Sequence, residues 1–266
     1  MTTATPAPHT LALPDSRAHV SLWDAGSGPP VLYLHGFHGL ASWQPWLGSL
    51  SARFRVVAPQ QPGFGDSTGA EHLDDFLDLA LCYADLLAAL KLDRVAIVGH
   101  NLGGAIACEL AALYPRLVSK LVLVAPLGLW DDAHPVTDFF ALTNPELVKL
   151  SWHDPDAALA RGAFHVPQTD EEKRADYLDR VKAMSTAGKY LWPIPDKGLK
   201  KRLHRIQAPV LLVWGASDKI VPPSYATLFQ RSLRDARVVE IPHAGHLPMV
   251  EQPERFLAPM QEFLSA

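Results

Sequence analysis

The stretch Gly99-His100-Asn101-Leu102-Gly103, here called the elbow, bears most directly on chemistry. It matches the pattern G-x-S-x-G, in which a sharp strand-to-helix turn presents a nucleophilic side chain, except that asparagine stands at the serine position. The carboxamide of Asn101 donates and accepts hydrogen bonds but has no hydroxyl oxygen to attack an ester. Asparagine also tolerates the positive φ of such a turn. We therefore predict a frame for nucleophilic catalysis without its usual nucleophile.

Two further candidates for catalysis follow predicted strands later in the chain. Asp218 lies shortly after the predicted strand 210–214, and His246 lies shortly after the predicted strand 236–241. A histidine can move a proton near neutral pH, and a carboxylate beside it holds its tautomer and stabilises its cation. His243 is the alternative base, and Asp218 has the alternative role of a turn residue that bonds its own backbone. The chain order is nucleophile position, acid, histidine.

Short apolar runs alternate with helical ones, which is typical of a mostly parallel sheet with helices on both faces. The runs are rich in Val, Leu and Ile without alternation, as expected of strands covered on both faces. Residues 11–24 are predicted to form a leading antiparallel hairpin. The predicted strands are 30–34, 54–58, 94–98, 120–125, 210–214 and 236–241, and the predicted helices are 73–90, 101–113, 224–233 and 253–265.

One stretch, from about residue 127 to residue 203, interrupts this alternation with helical periodicity and several prolines but no convincing strand. Such an insertion between consecutive strands predicts a helical cap over the strand ends, where parallel sheets bind ligands. We therefore divide the chain into a first core part at 1–126, a cap at 127–204 and a second core part at 205–266.

Composition excludes several classes of partner. The net charge of −4 shows no basic surplus, so we expect neither nucleic acid nor an anionic membrane as a partner. No apolar run of about 18 residues is present, and residues 1–10 lack the basic and apolar segments of a signal peptide. Cys82 and Cys108 fall in apolar helical patterns, which favours buried thiols over a disulfide. We expect a cytoplasmic protein, monomeric or homodimeric.

Several segments that follow predicted strands carry a family resemblance when they are taken together. They are the elbow, His35-Gly36-Phe37-His38-Gly39, Pro62-Gly63-Phe64-Gly65-Asp66-Ser67, Gly215-Ala216-Ser217-Asp218-Lys219 and His243-Ala244-Gly245-His246. In this order and placement the chain resembles the α/β-hydrolase superfamily from residue 18 onward. The resemblance implies a mostly parallel central sheet flanked by helices, with an inserted helical cap.

The resemblance also implies roles for individual residues. Asp218 would hold His246, which would act first as general base and then as general acid. The backbone N–H groups of Phe37 and Leu102 would form an oxyanion hole, placed where negative charge develops. None of these roles needs a hydroxyl at Asn101.

Asn101 has three interpretations. In the first, it replaces the serine of a hydrolase that cleaves carboxylic esters or activated C–C bonds beside a carbonyl. In the second, it replaces the nucleophilic aspartate of a dehalogenase or an epoxide hydrolase. Dehalogenases usually carry different residues at Leu102 and Phe37, and epoxide hydrolases need cap tyrosines, for which Tyr177 and Tyr190 are candidates. In the third, the protein is a lyase, an isomerase or a binding protein, and Asn101 orients its ligand.

The cap region concentrates aromatic residues, which predicts an apolar pocket for a small molecule. Each of them has the alternative role of packing the cap onto the sheet, and His38 is a further candidate for the pocket wall. We expect no metal site and, without a glycine-rich phosphate loop after the first strand, no nucleotide cofactor. We favour cofactor-free hydrolysis of an ester or ketone-activated C–C bond, with covalent turnover lost or altered at Asn101. The aromatic candidates are Trp130, Phe139, Phe140, Trp152, Phe164 and Trp192.

Overall fold

A computed structural model describes residues 5–163 and 166–266, in which eight strands form one sheet in the order β1-β2-β4-β3-β5-β6-β7-β8. The pairs β1/β2 and β2/β4 are antiparallel, and all the other neighbours are parallel. The carboxyl ends of β3 to β8 therefore share one edge of the sheet. The strands are β1 His9–Leu13, β2 Ala18–Ala25, β3 Pro30–Leu34, β4 Arg55–Pro59, β5 Val95–His100, β6 Val118–Val124, β7 Val210–Gly215 and β8 Ala236–Ile241.

Helices cover both faces of this sheet. Apolar side chains of α2, α3 and α7 pack with one set of strand residues, and those of α1 and α9 pack with the residues that point the other way. The central strands are consequently buried along almost their whole length, which explains their unbroken apolar runs. The helices are α1 Pro45–Ser51, α2 Phe76–Ala89, α3 Leu102–Leu113, α4 Asn144–Ser151, α5 Pro155–Ala160, α6 Asp170–Leu191, α7 Ser224–Ser232, α8 Pro248–Glu251 and α9 Pro253–Ser265.

The predicted elements are confirmed in kind, with differences at their ends. The hairpin of β1 and β2 and the bounds of β3, β8 and α9 agree with the predictions. The prediction that β8 is covered on both faces is wrong, because β8 is the edge strand and most of its residues are partly or fully exposed. Helix α2 begins at Phe76 rather than at residue 73, since the Asp75 side chain accepts hydrogen bonds from the N–H groups of Leu77 and Asp78.

The described residues between β6 and β7 form helices, short turns and irregular segments, with no strand among them. The long helix α6 is joined to the loop after β4 by side chains that donate to backbone oxygens: Thr186 Oγ1 to Gly63 O at 3.0 Å and Lys189 Nζ to Ala70 O at 2.6 Å. Over residues 5–163 and 166–266, no helix combines the length and the apolar character needed to span a membrane.

Both cysteines are free and buried in the helices packed on the sheet, Cys82 in α2 and Cys108 in α3. Burial raises the pKa of the Cys82 thiol to about 11, and burial likewise raises the pKa of Cys108. Both side chains are therefore neutral at physiological pH and behave as small apolar groups.

An ion pair between a half-buried arginine and a buried glutamate joins the segment before β7 to helix α3. Arg202 donates from Nε and Nη2 to the two carboxylate oxygens of Glu109, at 2.6 and 2.5 Å. The Glu109 side chain is only 4% exposed, so this carboxylate depends on Arg202 for its charge compensation.

Replacing Arg202 with methionine should lower the free energy of unfolding by about 3 kcal/mol, because it leaves a buried carboxylate without its partner. Urea denaturation of the parent and of Arg202→Met measures the difference, with the exposed neighbour Lys201→Met as the matched control. Adding Glu109→Gln to Arg202→Met should recover part of the loss. Equal stabilities of parent and Arg202→Met would show that water compensates Glu109 adequately.

Candidate active site

Asn101 lies at the junction of β5 and α3, in a backbone conformation that few residues adopt. Its φ is 51° and its ψ is −112°. The conformation is held from both sides, because Asn101 N donates to Val124 O at 3.0 Å and Asn101 O accepts from the N–H of Leu127 at 3.1 Å. Gly103 is required beside it, since a Cβ there would collide with the carbonyl of Leu34. The elbow thus has the sharp strand-to-helix turn predicted for it.

His246 and Asp218 meet Asn101 at this edge of the sheet, on loops that follow β8 and β7. His246 Nδ1 lies 2.8 Å from Asp218 Oδ2, and His246 Nε2 lies 3.0 Å from Asn101 Nδ2. The other carboxylate oxygen of Asp218 accepts from the N–H groups of Ile220 and Val221 at 2.8 and 3.0 Å. All three predicted residues are buried. Asp218 therefore accepts the Nδ1 proton of His246, which leaves the Nε2 lone pair to accept from Asn101 Nδ2.

The Asn101 carboxamide is oriented by contacts at both of its ends. Its Oδ1 accepts from the Leu102 N–H at 2.7 Å, and its Nδ2 faces His246 Nε2. Because an N–H can only donate, the first contact requires the oxygen and so assigns the nitrogen to the histidine side. The side chain thereby occupies one of the N–H groups predicted to serve as an oxyanion donor.

Phe37, predicted to supply the other oxyanion donor, is in the loop after β3. This loop packs closely on the elbow, since a Cβ on Gly36 would lie 3.0 Å from Asn101 Cβ, and Gly103 N donates to His35 O at 3.0 Å. The Phe37 ring is fully buried and its centroid lies 6.1 Å from that of His246. The structure therefore places the loop that contains Phe37 directly against the elbow.

His35 and His100 support the site as neutral, buried side chains. His35 Nε2 accepts from the Gln61 N–H at 2.9 Å, and burial lowers the pKa of His35 to about 4. His100 Nε2 donates to the backbone oxygen of His246 at 3.0 Å, and burial, with the charge of His246 second, lowers the pKa of His100. These histidines position the loops around Asn101, and neither is placed to exchange a proton with it.

Glu251, which the sequence did not single out, connects the His246 loop to helix α4. Its carboxylate accepts from Gly245 N at 2.6 Å and from His153 N at 2.7 Å. Beside it, His246 N donates to the backbone oxygen of Ser151 at 2.7 Å. The His246 loop and the end of α4 are therefore one hydrogen-bonded unit. The signal available in the sequence was an acidic residue shortly after the predicted histidine, within the same loop-to-helix segment.

Replacing Glu251 with glutamine should destabilise the fold by about 1–3 kcal/mol, because an amide offers one oxygen to two N–H donors. Burial raises the pKa of Glu251, so its stabilising contribution is complete below the unfolded pKa and falls as pH rises through the folded pKa. The difference between parent and Glu251→Gln should therefore shrink from about pH 4 to about pH 7. Urea denaturation at both pH values checks this, with exposed Glu254→Gln as control.

Of the predicted aromatic pocket residues, Phe139 packs against the loop after β3. It is fully buried, and its ring stacks on Phe37 with centroids 4.1 Å apart. Phe140 packs on Phe139 with centroids 4.6 Å apart. Trp152 is buried directly after Ser151, against Gly245. These three residues bring the helical insertion onto the predicted catalytic loops.

The other predicted pocket residues are placed differently. Trp130 donates from Nε1 to Asp132 at 2.8 Å, and Trp192 is 57% exposed and contacts Phe140 edge-on. No contact described for either reaches Asn101 or His246. His38 has an exposed edge and borders a cavity of about 370 Å³. Phe164 is outside the described residues. Among those residues, no group of three or more His, Cys, Asp or Glu side chains is arranged to hold a metal ion.

Residues 29–253 match the family model of the alpha/beta hydrolase fold, and the chain therefore belongs to this family. Two curated relatives are a hydrolase and an esterase. One is 2-hydroxy-6-oxo-6-(2'-aminophenyl)hexa-2,4-dienoic acid hydrolase of Metapseudomonas resinovorans, 30% identical over 91% of this chain and 86% of its own. The other is pimeloyl-[acyl-carrier protein] methyl ester esterase of Nitrosomonas europaea, 29% identical over 91% of this chain and 98% of its own.

Solved structures agree with this fold. A variant of the meta-cleavage product hydrolase CumD superposes with a TM-score of 0.80 at 21% identity, covering 97% of both chains. A bacterial membrane phospholipase A superposes with a TM-score of 0.78 at 27% identity, covering 98% of this chain and 86% of its own. The predicted fold class, an α/β-hydrolase sheet flanked by helices, is confirmed.

Proposed function

We propose that this protein is a cofactor-free hydrolase in which Asp218 and His246 are the acid–base pair and Asn101 occupies the nucleophile position. The observation that carries the proposal is the chain of contacts from Asp218 through His246 to Asn101, at 2.8 and 3.0 Å. A buried carboxylate that holds one imidazole nitrogen, with the other nitrogen aimed at an elbow residue, is the arrangement that moves protons to and from a reacting group.

The proposed substrate is an apolar small molecule with a carbonyl group. The backbone N–H groups of Phe37 and Leu102 are proposed to receive the carbonyl oxygen as negative charge develops on it. The helical insertion over residues 127–204 is proposed to act as a cap, with Phe139, Phe140 and Trp152 as an apolar wall. The functions that the names of the two relatives state, a dienoic acid hydrolase and a methyl ester esterase, support a C–C bond beside a ketone or an ester as the bond that is cleaved.

With asparagine at position 101, the proposed reaction lacks an acyl-enzyme. Its remaining route is attack by a water molecule that gives its proton to His246, while the oxyanion donors stabilise the tetrahedral intermediate. Serine proteases that lack a triad residue still react about 10³ to 10⁴ times faster than the uncatalysed reaction in water. We therefore propose slow turnover for the chain as it stands.

A second candidate function is that of an aspartate-nucleophile hydrolase with an amide in place of the acid. The observation in its favour is the Asn101 carboxamide itself, which reaches the Leu102 N–H with one end and His246 with the other. A carboxylate has the same shape, and it would present one oxygen to the oxyanion donor and the other for attack.

Three chains distinguish these functions: the parent, Asn101→Ser and Asn101→Asp. Each is assayed with p-nitrophenyl butyrate, with a vinylogous 1,5-diketone acid and with an alkyl halide or epoxide, and intact mass is recorded after exposure to a fluorophosphonate. Ester or C–C cleavage and covalent labelling only in Asn101→Ser would support the proposed function. Turnover of the halide or epoxide only in Asn101→Asp would support the second candidate. Loss of a parent activity in both variants would contradict both candidates and indicate a role for the amide itself.

A further inference from the structure

We infer that Asn101 is a self-modification site, at which the Asp218–His246 pair hydrolyses the side-chain amide of Asn101 to an aspartate and releases ammonia. The inference uses the acid–base pair of the proposed function but requires no external substrate. Its starting point is that the carboxamide is held as a hydrolase holds the bond it cleaves, with its oxygen on a backbone donor and its leaving nitrogen on a histidine.

The first element of this arrangement is the polarised carbonyl. Asn101 Oδ1 accepts from the Leu102 N–H at 2.7 Å, at the first residue of helix α3. An N–H at a helix N-terminus stabilises negative charge. As water adds to Cγ, the charge that develops on Oδ1 is therefore already opposite a fixed donor.

The second element is the proton path to the leaving group. Asn101 Nδ2 lies 3.0 Å from His246 Nε2, whose partner nitrogen is held by Asp218 at 2.8 Å. An amide nitrogen leaves readily only when it is protonated, and His246 is within hydrogen-bond distance of it. The same imidazole nitrogen can first take the proton of the attacking water.

The step balances with water as the only co-reactant. The water oxygen forms a bond to Cγ and its proton passes to His246 Nε2. The tetrahedral intermediate then collapses, the Cγ–Nδ2 bond breaks, and His246 delivers the proton to Nδ2, which departs as ammonia. No oxidation or reduction takes place, and the products are a carboxylate at position 101 and ammonium. Asn101 and His246 are fully buried, so only the small fraction of molecules that have admitted a water molecule can react, and the reaction should be slow.

Incubation of the purified chain at neutral pH in heavy-oxygen water, followed by peptide mass spectrometry, tests the inference. We expect aspartate, with one labelled oxygen, to accumulate at position 101. In His246→Gln the rate should fall by about 100-fold or more, the usual contribution of general acid–base catalysis. The chain's other asparagine, Asn144, is exposed and precedes Pro145, which has no backbone N–H to attack the Asn144 side chain. It is therefore the internal control for direct hydrolysis of an exposed amide by water, which should be undetectable over the same time.

Three results would overturn the inference. They are an unchanged Asn101 after weeks at neutral pH, an equal rate in the variant, and isoaspartate at position 101, which would indicate attack by the Leu102 nitrogen instead of water. Asp218→Asn is the second variant if His246→Gln does not fold, as judged by circular dichroism. The readout is mass rather than turnover of an added substrate, so this inference and the proposed function can fail separately.

Discussion

Asn101→Ser is expected to hydrolyse p-nitrophenyl butyrate about 10⁴ to 10⁶ times faster than the parent, because loss of the serine from a working triad costs about 10⁶ in kcat. The serine oxygen would stand on the same Cβ that now carries the carboxamide, within reach of His246 Nε2. Serine would also free the Leu102 N–H, which Asn101 Oδ1 now occupies, and so restore an oxyanion donor. Steady-state kcat/KM of the two chains measures the gain.

Asn101→Ala is the matched control for this prediction. It also frees the Leu102 N–H but supplies no nucleophile, so its activity should stay near that of the parent. If alanine raises the rate as much as serine does, then the obstruction by the carboxamide, and not the missing hydroxyl, limits the parent. If neither variant exceeds the parent, the ester-hydrolase proposal is wrong for this substrate.

Removing either member of the proposed acid–base pair should abolish most of the activity that Asn101→Ser is expected to gain. In the Asn101→Ser background, Asp218→Asn should lower kcat by about 10⁴, as loss of the triad aspartate does elsewhere, because the imidazole then adopts the wrong tautomer. His246→Ala should lower kcat by at least as much, since no other described side chain contacts the elbow residue as a base. These losses are measured by kcat, with enzyme concentrations determined from ultraviolet absorbance and folding checked by circular dichroism.

His243 provides the control that discriminates between the two candidate histidines. It is exposed, its φ is 57°, and its ring packs on His153 rather than on the elbow. His243→Asn, which tolerates that backbone conformation, should leave kcat within about twofold of Asn101→Ser, since surface changes away from a site have small effects. A large loss in His243→Asn with none in His246→Ala would reverse the assignment.

The sheet could be predicted because buried parallel strands are typically continuous runs of Val, Leu and Ile. The run in β7 is apolar along its whole length, and both faces of the strand are covered in the structure. The same reasoning failed for β8, whose apolar residues belong to an exposed edge strand. Apolar composition does not show whether a strand is central or at the edge of the sheet, because that position depends on which other strands pair with it.

The candidate site was predictable as far as it follows from chain order and strand ends. Parallel strands deliver the elbow and the loops after β7 and β8 to one edge, so Asn101, Asp218 and His246 could be expected together. The rotamer of Asn101 could not be predicted, since it is set by a histidine far along the chain. Trp192, predicted as a pocket residue, is 57% exposed, because an aromatic side chain in a loop does not reveal the side to which it points.

The hydrogen bonds that join the His246 loop to helix α4 have a consequence for how a substrate reaches Asn101. Ser151 O and the Glu251 carboxylate bind the loop from the side of the insertion. A movement of α4 that opens a path to the buried site must either break these bonds or carry His246 with it. Entry and proton transfer are then coupled in free energy: the state that admits a ligand has either lost these hydrogen bonds or displaced His246, and the state that reacts is closed. Each turnover would alternate between the two.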